Sequence, residues 1–184
     1  MYAKRLTAAF AALLLALSIG CSQHRANTPS EKKAVADALT QAGYDKISIS
    51  EDRDKGVITL DGNVKSEDEK SKAEDDAKAA APGLIVANQI AVQPAGMEGE
   101  AKSIDKNLDS GIKDNLKAAF VQNGLDKKHI DYDVNNGVVT LKGKVDNAGQ
   151  REQAEKIAAS VPNVQQVVNE LDIKGQKKGA AAGR

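Results

Sequence analysis

The chain of 184 residues repeats itself at an offset of 81. Gly56-Val57-Ile58-Thr59-Leu60-Asp61-Gly62-Asn63-Val64 aligns with Gly137-Val138-Val139-Thr140-Leu141-Lys142-Gly143-Lys144-Val145. The same offset lays Gln41, Gly43, Asp45, Lys46 and Ile49 on Gln122, Gly124, Asp126, Lys127 and Ile130, and Asn88 on Asn169. Only around Pro82-Gly83 and Pro162-Asn163 does the register slip, by one residue. A register held this long divides the chain into homologous units. The units are read as 28–93 and 103–174, joined by a Pro/Gly-containing linker at 94–102 and followed by a Gly/Ala-rich tail at 175–184, expected to be disordered.

Each unit spells the same elements. Ser30 to about Ala42 reads as a helix with Val35, Ala38 and Leu39 inward. Its counterpart has Ile104, Leu108, Ile112, Leu116 and Phe120 at every fourth position, with Ser103 as N-cap. Gly43 and Gly124 stop these helices. Two strands follow as a hairpin, and Asn136-Gly137 is a tight-turn signal. Ile58 and Leu60 are expected on one face, with Val57, Thr59 and Asp61 on the other. Ser66 with Glu69, and Asn147 with Gln150, form capping boxes opening a second helix. That helix ends before Pro82 or Pro162, and a last strand runs through 84–92 or 164–173. The fold class is therefore α+β: two tandem α-β-β-α-β modules, each a three-stranded mixed sheet with two helices on one face. The Ala73, Ala77 and Ala80 face makes the first module the less stable one.

Residues 1–20 carry Lys4 and Arg5 and then an uncharged, mostly apolar run to Ile19, the pattern of a secretory signal peptide. Leu17-Ser18-Ile19-Gly20-Cys21 resembles the lipobox of bacterial lipoproteins, with Leu17 one place early. The resemblance implies lipidation of Cys21, with 21–27 as a tether. Acyl chains contribute about 0.8 kcal/mol per buried methylene, so several chains hold a protein stably on a bilayer. Ser22 after the cysteine implies the outer membrane by analogy with enteric sorting, the inner membrane being the alternative.

The α-β-β-α-β order and the paired Gly-Val-x-Thr-Leu-x-Gly-x-Val strands resemble the BON domain over nearly all of 28–174. That domain occurs in tandem in osmotically inducible periplasmic proteins and dual-BON outer-membrane lipoproteins. The resemblance implies a non-catalytic envelope module associated with phospholipid surfaces, envelope proteins and osmotic stress resistance. A soluble, chaperone-like periplasmic protein and a cation-responsive module are the alternative functions.

Charge and composition narrow the chemistry. Twenty-six basic residues balance twenty-six acidic ones, which argues against nucleic acid as a partner. One Cys and two His leave no metal-ligand spacing, and no nucleophile-base-orienter set is visible. Neither an enzyme activity nor a cofactor is expected. The acidic runs at 67–69 and 74–76 read as a solvated helix face. Gly56, Gly62, Gly137 and Gly143 read as structural glycines of turns and strand ends. Residues 31–93 hold nine basic and thirteen acidic groups, and 105–174 ten and eleven. The second module is thus the better match to an anionic phospholipid surface, with Lys113, Lys117, Lys127 and Lys128 as the contact candidates. Phe120 is assigned to the core.

Overall fold

A computed structural model describes residues 30–125 and 129–175. The elements are α1 (Lys32–Gln41), β1 (Ser48–Asp52), β2 (Val57–Val64), α2 (Glu67–Ala80), β3 (Ile85–Val92), α3 (Glu98–Gln122), β4 (His129–Asn135), β5 (Val138–Val145), α4 (Ala148–Ala159), β6 (Gln166–Asn169) and β7 (Asp172–Ile173). One sheet has the order β1-β2-β3, and the other β4-β5-β6 with β7 also on β5. In both, the first pairing is antiparallel and the second parallel. The expected final strand of the second half is interrupted at Glu170 and Leu171, where the Leu171 amide donates to Asn169 Oδ1 at 3.2 Å.

The two halves have separate cores. Val35 and Leu39 of α1 and Ala73 and Ala77 of α2 meet Ile58, Leu60, Val86 and Ile90 in the first. Ile112, Leu116 and Phe120 of α3 and Ala154 and Ala158 of α4 meet Val139, Leu141 and Val145 in the second. Each sheet thus buries one face under its two helices. The capping boxes form as read: Glu69 N donates to Ser66 Oγ at 3.3 Å and Gln150 N to Asn147 Oδ1 at 2.9 Å. The reciprocal carboxylate and amide reach one residue further back, accepting from Lys65 N and Asp146 N.

Three further features depart from the sequence reading. First, α3 begins at Glu98, so residues 98–102 of the expected linker are helical and Ser103 is no cap. Its hydroxyl donates within the helix to Gly99 O. The remaining connection is one turn, in which Met97 N donates to Pro94 O at 3.0 Å and Gly96 has φ +82°. Second, Ile104 and Leu108 are 56% and 44% exposed. A helix turns about 100° per residue, so every fourth residue drifts by about 40°. Over the four steps from Phe120 back to Ile104 the drift carries the side chain nearly to the opposite side. Third, Ile130 does not occupy the place of Ile49. Leu60 pairs with Ile49, but Leu141 pairs with Tyr132. The first hairpin spends residues 53–56 on its connection. The second needs only Asn136 and Gly137, with φ +48° and +76°, and its strand is longer by the difference.

The helix-free faces of the two sheets are not solvated throughout. Val57, Ala87, Val138 and Val168 form a third buried cluster, to which each half contributes the same two repeat positions. This seam is therefore quasi-symmetric. Around it each hairpin reaches the last strand of the other half. Lys55 pairs with Asp172, and Asn136 Nδ2 donates to Gln89 O at 2.6 Å. Gln166 covers the open edge of β3, accepting from Asn88 N at 3.2 Å and donating to Val86 O at 2.8 Å.

Candidate functional site

The lysines nominated on the second half separate into two groups. Lys113 and Lys117 are exposed, one turn apart on α3. Lys113 Nζ lies 3.3 Å from Asp133 Oδ1 on β4. Lys127 and Lys128 lie outside the described residues, as do Cys21 and the segments 1–29 and 176–184. Two lysines that the sequence reading passed over complete a line. Lys102 and Lys106 are exposed on the same helix. At about 100° per residue, Lys102, Lys106, Lys113 and Lys117 fall within about 60° of one another around the axis. The spacing signal (4, 7 and 4 residues) is in the sequence, but it becomes visible only once the helix is known to start before Lys102.

Phe120 is buried and packs edge-to-face on Tyr132, ring centres 5.7 Å apart, which fixes α3 on β4. Burial, with Asp114 nearby, pushes the Tyr132 hydroxyl upward. The four nominated glycines all have positive φ. At Gly62 a Cβ would lie 3.1 Å from Lys46 O and 3.2 Å from Ile47 Cα, so the close approach of β1 requires glycine there.

The junction between the halves holds a second group. A crevice is lined by Glu67 and Lys70 of α2, Asp105 and Asp109 of α3, Asn136, and Gln165. Asp109 accepts from the backbone amides of Asn136 and Gly137, both at 2.9 Å, and so clamps the β4–β5 turn. Lys70 is 8% exposed and donates to Gln165 Oε1 at 3.1 Å. Burial raises Asp105, and the neighbouring Asp109 adds to this. Among the described residues no group of three or more His, Cys, Asp or Glu is placed to hold a metal ion. The acidic runs serve helix α2: Glu67, Asp68 and Glu69 stand in its first turn, and Glu74 accepts from Asn88 Nδ2 at 2.9 Å. Burial alone would raise Glu74, but its bonds from Lys78 and Asn88 outweigh this and lower it.

Glu170 gives a pH test. Its burial raises the carboxyl, Lys142 at 4.0 Å opposes that, and Asp52 adds to it. A carboxyl raised by folding binds its proton more tightly in the native state. Its contribution is then present below the ordinary carboxylate value and lost as pH rises through the raised one. Glu170→Gln is expected to raise stability at pH 7 and to reduce the gain otherwise seen on acidification through that window. Urea melts of both proteins at pH 4 and pH 7 measure this; a loss at pH 7 contradicts it.

No helix among the described residues is long and apolar enough to cross a membrane. Comparison with known proteins matches residues 108–175 to the BON domain and residues 32–92 to the YscD/CdsD-like Bon-like domain 2. The chain is 34% identical over 128 residues to osmotically-inducible protein Y of Escherichia coli K12, covering 68% of this chain and 62% of that protein. Two solved structures of CdsD, a structural protein of the type III secretion system of Chlamydia trachomatis, are similar at 15% identity. One has a TM-score of 0.31, covering 76% of this chain and 59% of that one. The other, a C-terminal domain, has a TM-score of 0.32, covering 77% and 63%.

Proposed function

We propose, from the premise that this chain is a BON-domain protein with a Bon-like domain before its BON domain, that it is a non-catalytic envelope protein of the osmotic-stress type. It is periplasmic, tethered to the outer membrane through lipidated Cys21, and it rests α3 on anionic phospholipid. The similarity to osmotically-inducible protein Y supports the stress and periplasmic part of this reading. The line of Lys102, Lys106, Lys113 and Lys117 along α3 carries the lipid part. Over those fifteen residues the line is about 22 Å long. A lysine near an anionic leaflet contributes about 1 kcal/mol before screening. Lys113 contributes less, because Asp133 already holds it.

Residues 22–184 are expected to co-sediment with vesicles containing phosphatidylglycerol more than with pure phosphatidylcholine. Replacing Lys106 and Lys117 by Gln should weaken that binding by about thirtyfold before screening and about tenfold once salt screens part of it. Equal sedimentation with both vesicle types removes the lipid reading. The tether is tested separately. Cys21→Ala should move the protein from the membrane fraction to the soluble periplasmic one; unchanged fractionation removes it.

A further inference from the structure

We propose that the seam between the halves is also a self-association surface, through which two copies of this chain pair by exchanging halves once the turn between the halves no longer confines it to one chain. The inference rests on three features of the fold and not on the lipid reading.

The seam is built from one surface used twice. Val57 and Ala87 face Val138 and Val168, which are their repeat equivalents. The parallel pairing that displays them keeps the same residue separation in both sheets, from Val57↔Ile85 to Val138↔Gln166. An interface whose sides are versions of one another is satisfied equally within one chain or between two related by a twofold axis. Each half also keeps its own buried core. Opening the seam therefore exposes a small apolar cluster and a few polar bonds without dismantling either half.

The connection is what confines the seam to one chain. It is a single turn, Pro94 to Met97, between the end of β3 and the start of α3. Short connections of this kind are the usual place where exchange begins, because removing the reversal leaves the partner chain as the only source of the missing half. Gly96 sets the turn through its positive φ, and a Cβ there would meet nothing within 4 Å. A substitution at Gly96 therefore penalises the turn alone.

The test uses residues 21–184 with Cys21→Ser, sized by sedimentation equilibrium across a concentration series. The parent is expected to be monomeric at micromolar concentration, since a short tether holds its halves at an effective concentration in about the millimolar range. Deleting Ala95 and Gly96 should produce dimers at concentrations at least about 100-fold lower than the parent requires. Gly96→Val should shift the same equilibrium in the same direction by less. Adding Val138→Glu to either variant should return it to monomer, because the dimer depends on the seam. The proposal is overturned if both hinge variants stay monomeric at the concentrations where the parent does, or if their dimers survive Val138→Glu. If the deletion variant does not fold, Gly96→Val decides by the same two criteria.

Discussion

Leu60→Ala is expected to destabilise the first half by about 2–5 kcal/mol, and by more than Leu141→Ala destabilises the second. Both leucines are fully buried at the middle of a central strand, at equivalent positions of the repeat. Truncation removes the same atoms from each, so the difference lies in what can collapse into the space. Helices α2 and α4 present alanines at equivalent places, Ala73 and Ala77 or Ala154 and Ala158, but the first core continues with Ala81 where the second has Val161, so it has fewer long side chains to move. Around Leu141 the core holds Phe120, with Ile157 packed against it, and side chains of that length can shift part of the way in. A unit of this size has a total stability of only about 3–10 kcal/mol, so Leu60→Ala should leave the first half largely unfolded at physiological temperature. Urea melts followed by amide exchange on residues of each half separate the two effects. An equal or larger loss from Leu141→Ala contradicts the argument.

Asn88→Ala should cost about 1–3 kcal/mol, the range for orphaning a buried polar group, and Asn169→Ala clearly less. The two asparagines make the same bracket between the last strand and the helix before it. Asn88 Nδ2 donates to Lys70 O and Glu74 Oε2, and its Oδ1 accepts from Ile90 N at 3.3 Å. Asn169 repeats this with Arg151 O, Glu155 Oε2 and Leu171 N. What differs is water. Asn88 is 3% exposed, enclosed by Gln166 and the seam, whereas the contact between Asn169 and Glu155 is exposed. Solvent can replace a lost partner in the second bracket and not in the first. Asn88→Asp keeps the shape but sets a second carboxylate beside Glu74, so it should destabilise at neutral pH and recover on acidification. Thermal melts of the three variants at pH 7 and pH 5 check the order; equal effects of the two alanine substitutions refute it.

The features that were legible in the sequence are those fixed by neighbours a few residues away. Asn136-Gly137, the boxes at Ser66 and Asn147, and the stops at Gly43 and Gly124 are local chemistry, and each is in place. The start of α3 was not legible, because its first residue follows a backbone turn and Met97 offers no capping side chain. The seam was not legible either. Val57 and Val138 sit beside Ile58 and Val139, and two apolar residues in succession mean that a strand is buried on both faces. That cue was present in both copies, but nothing local says what covers the outer face. The lysine line was half legible: Lys113 and Lys117 stand on the predicted helix, while Lys102 belonged to what looked like linker.

The unequal hairpins limit how the protein can be edited. Between the two copies, strand and connection have traded two residues, and side chains alternate across a sheet with a period of two. Ile47 and Ile130 therefore both still face inward beside their glycines, although they do not correspond in numbering. A graft of residues 47–56 onto the second half by simple numbering carries its own connection, so Ser48 would meet Lys142 as it meets Asp61, and the two-residue difference would instead shorten the stretch before the strand. The pairing itself is indifferent to the connection: Asp52 meets Val57 across four residues as Asn135 meets Val138 across two. Natural variants of these hairpins should accordingly differ in the length of the connection while keeping the same strand positions turned toward the core.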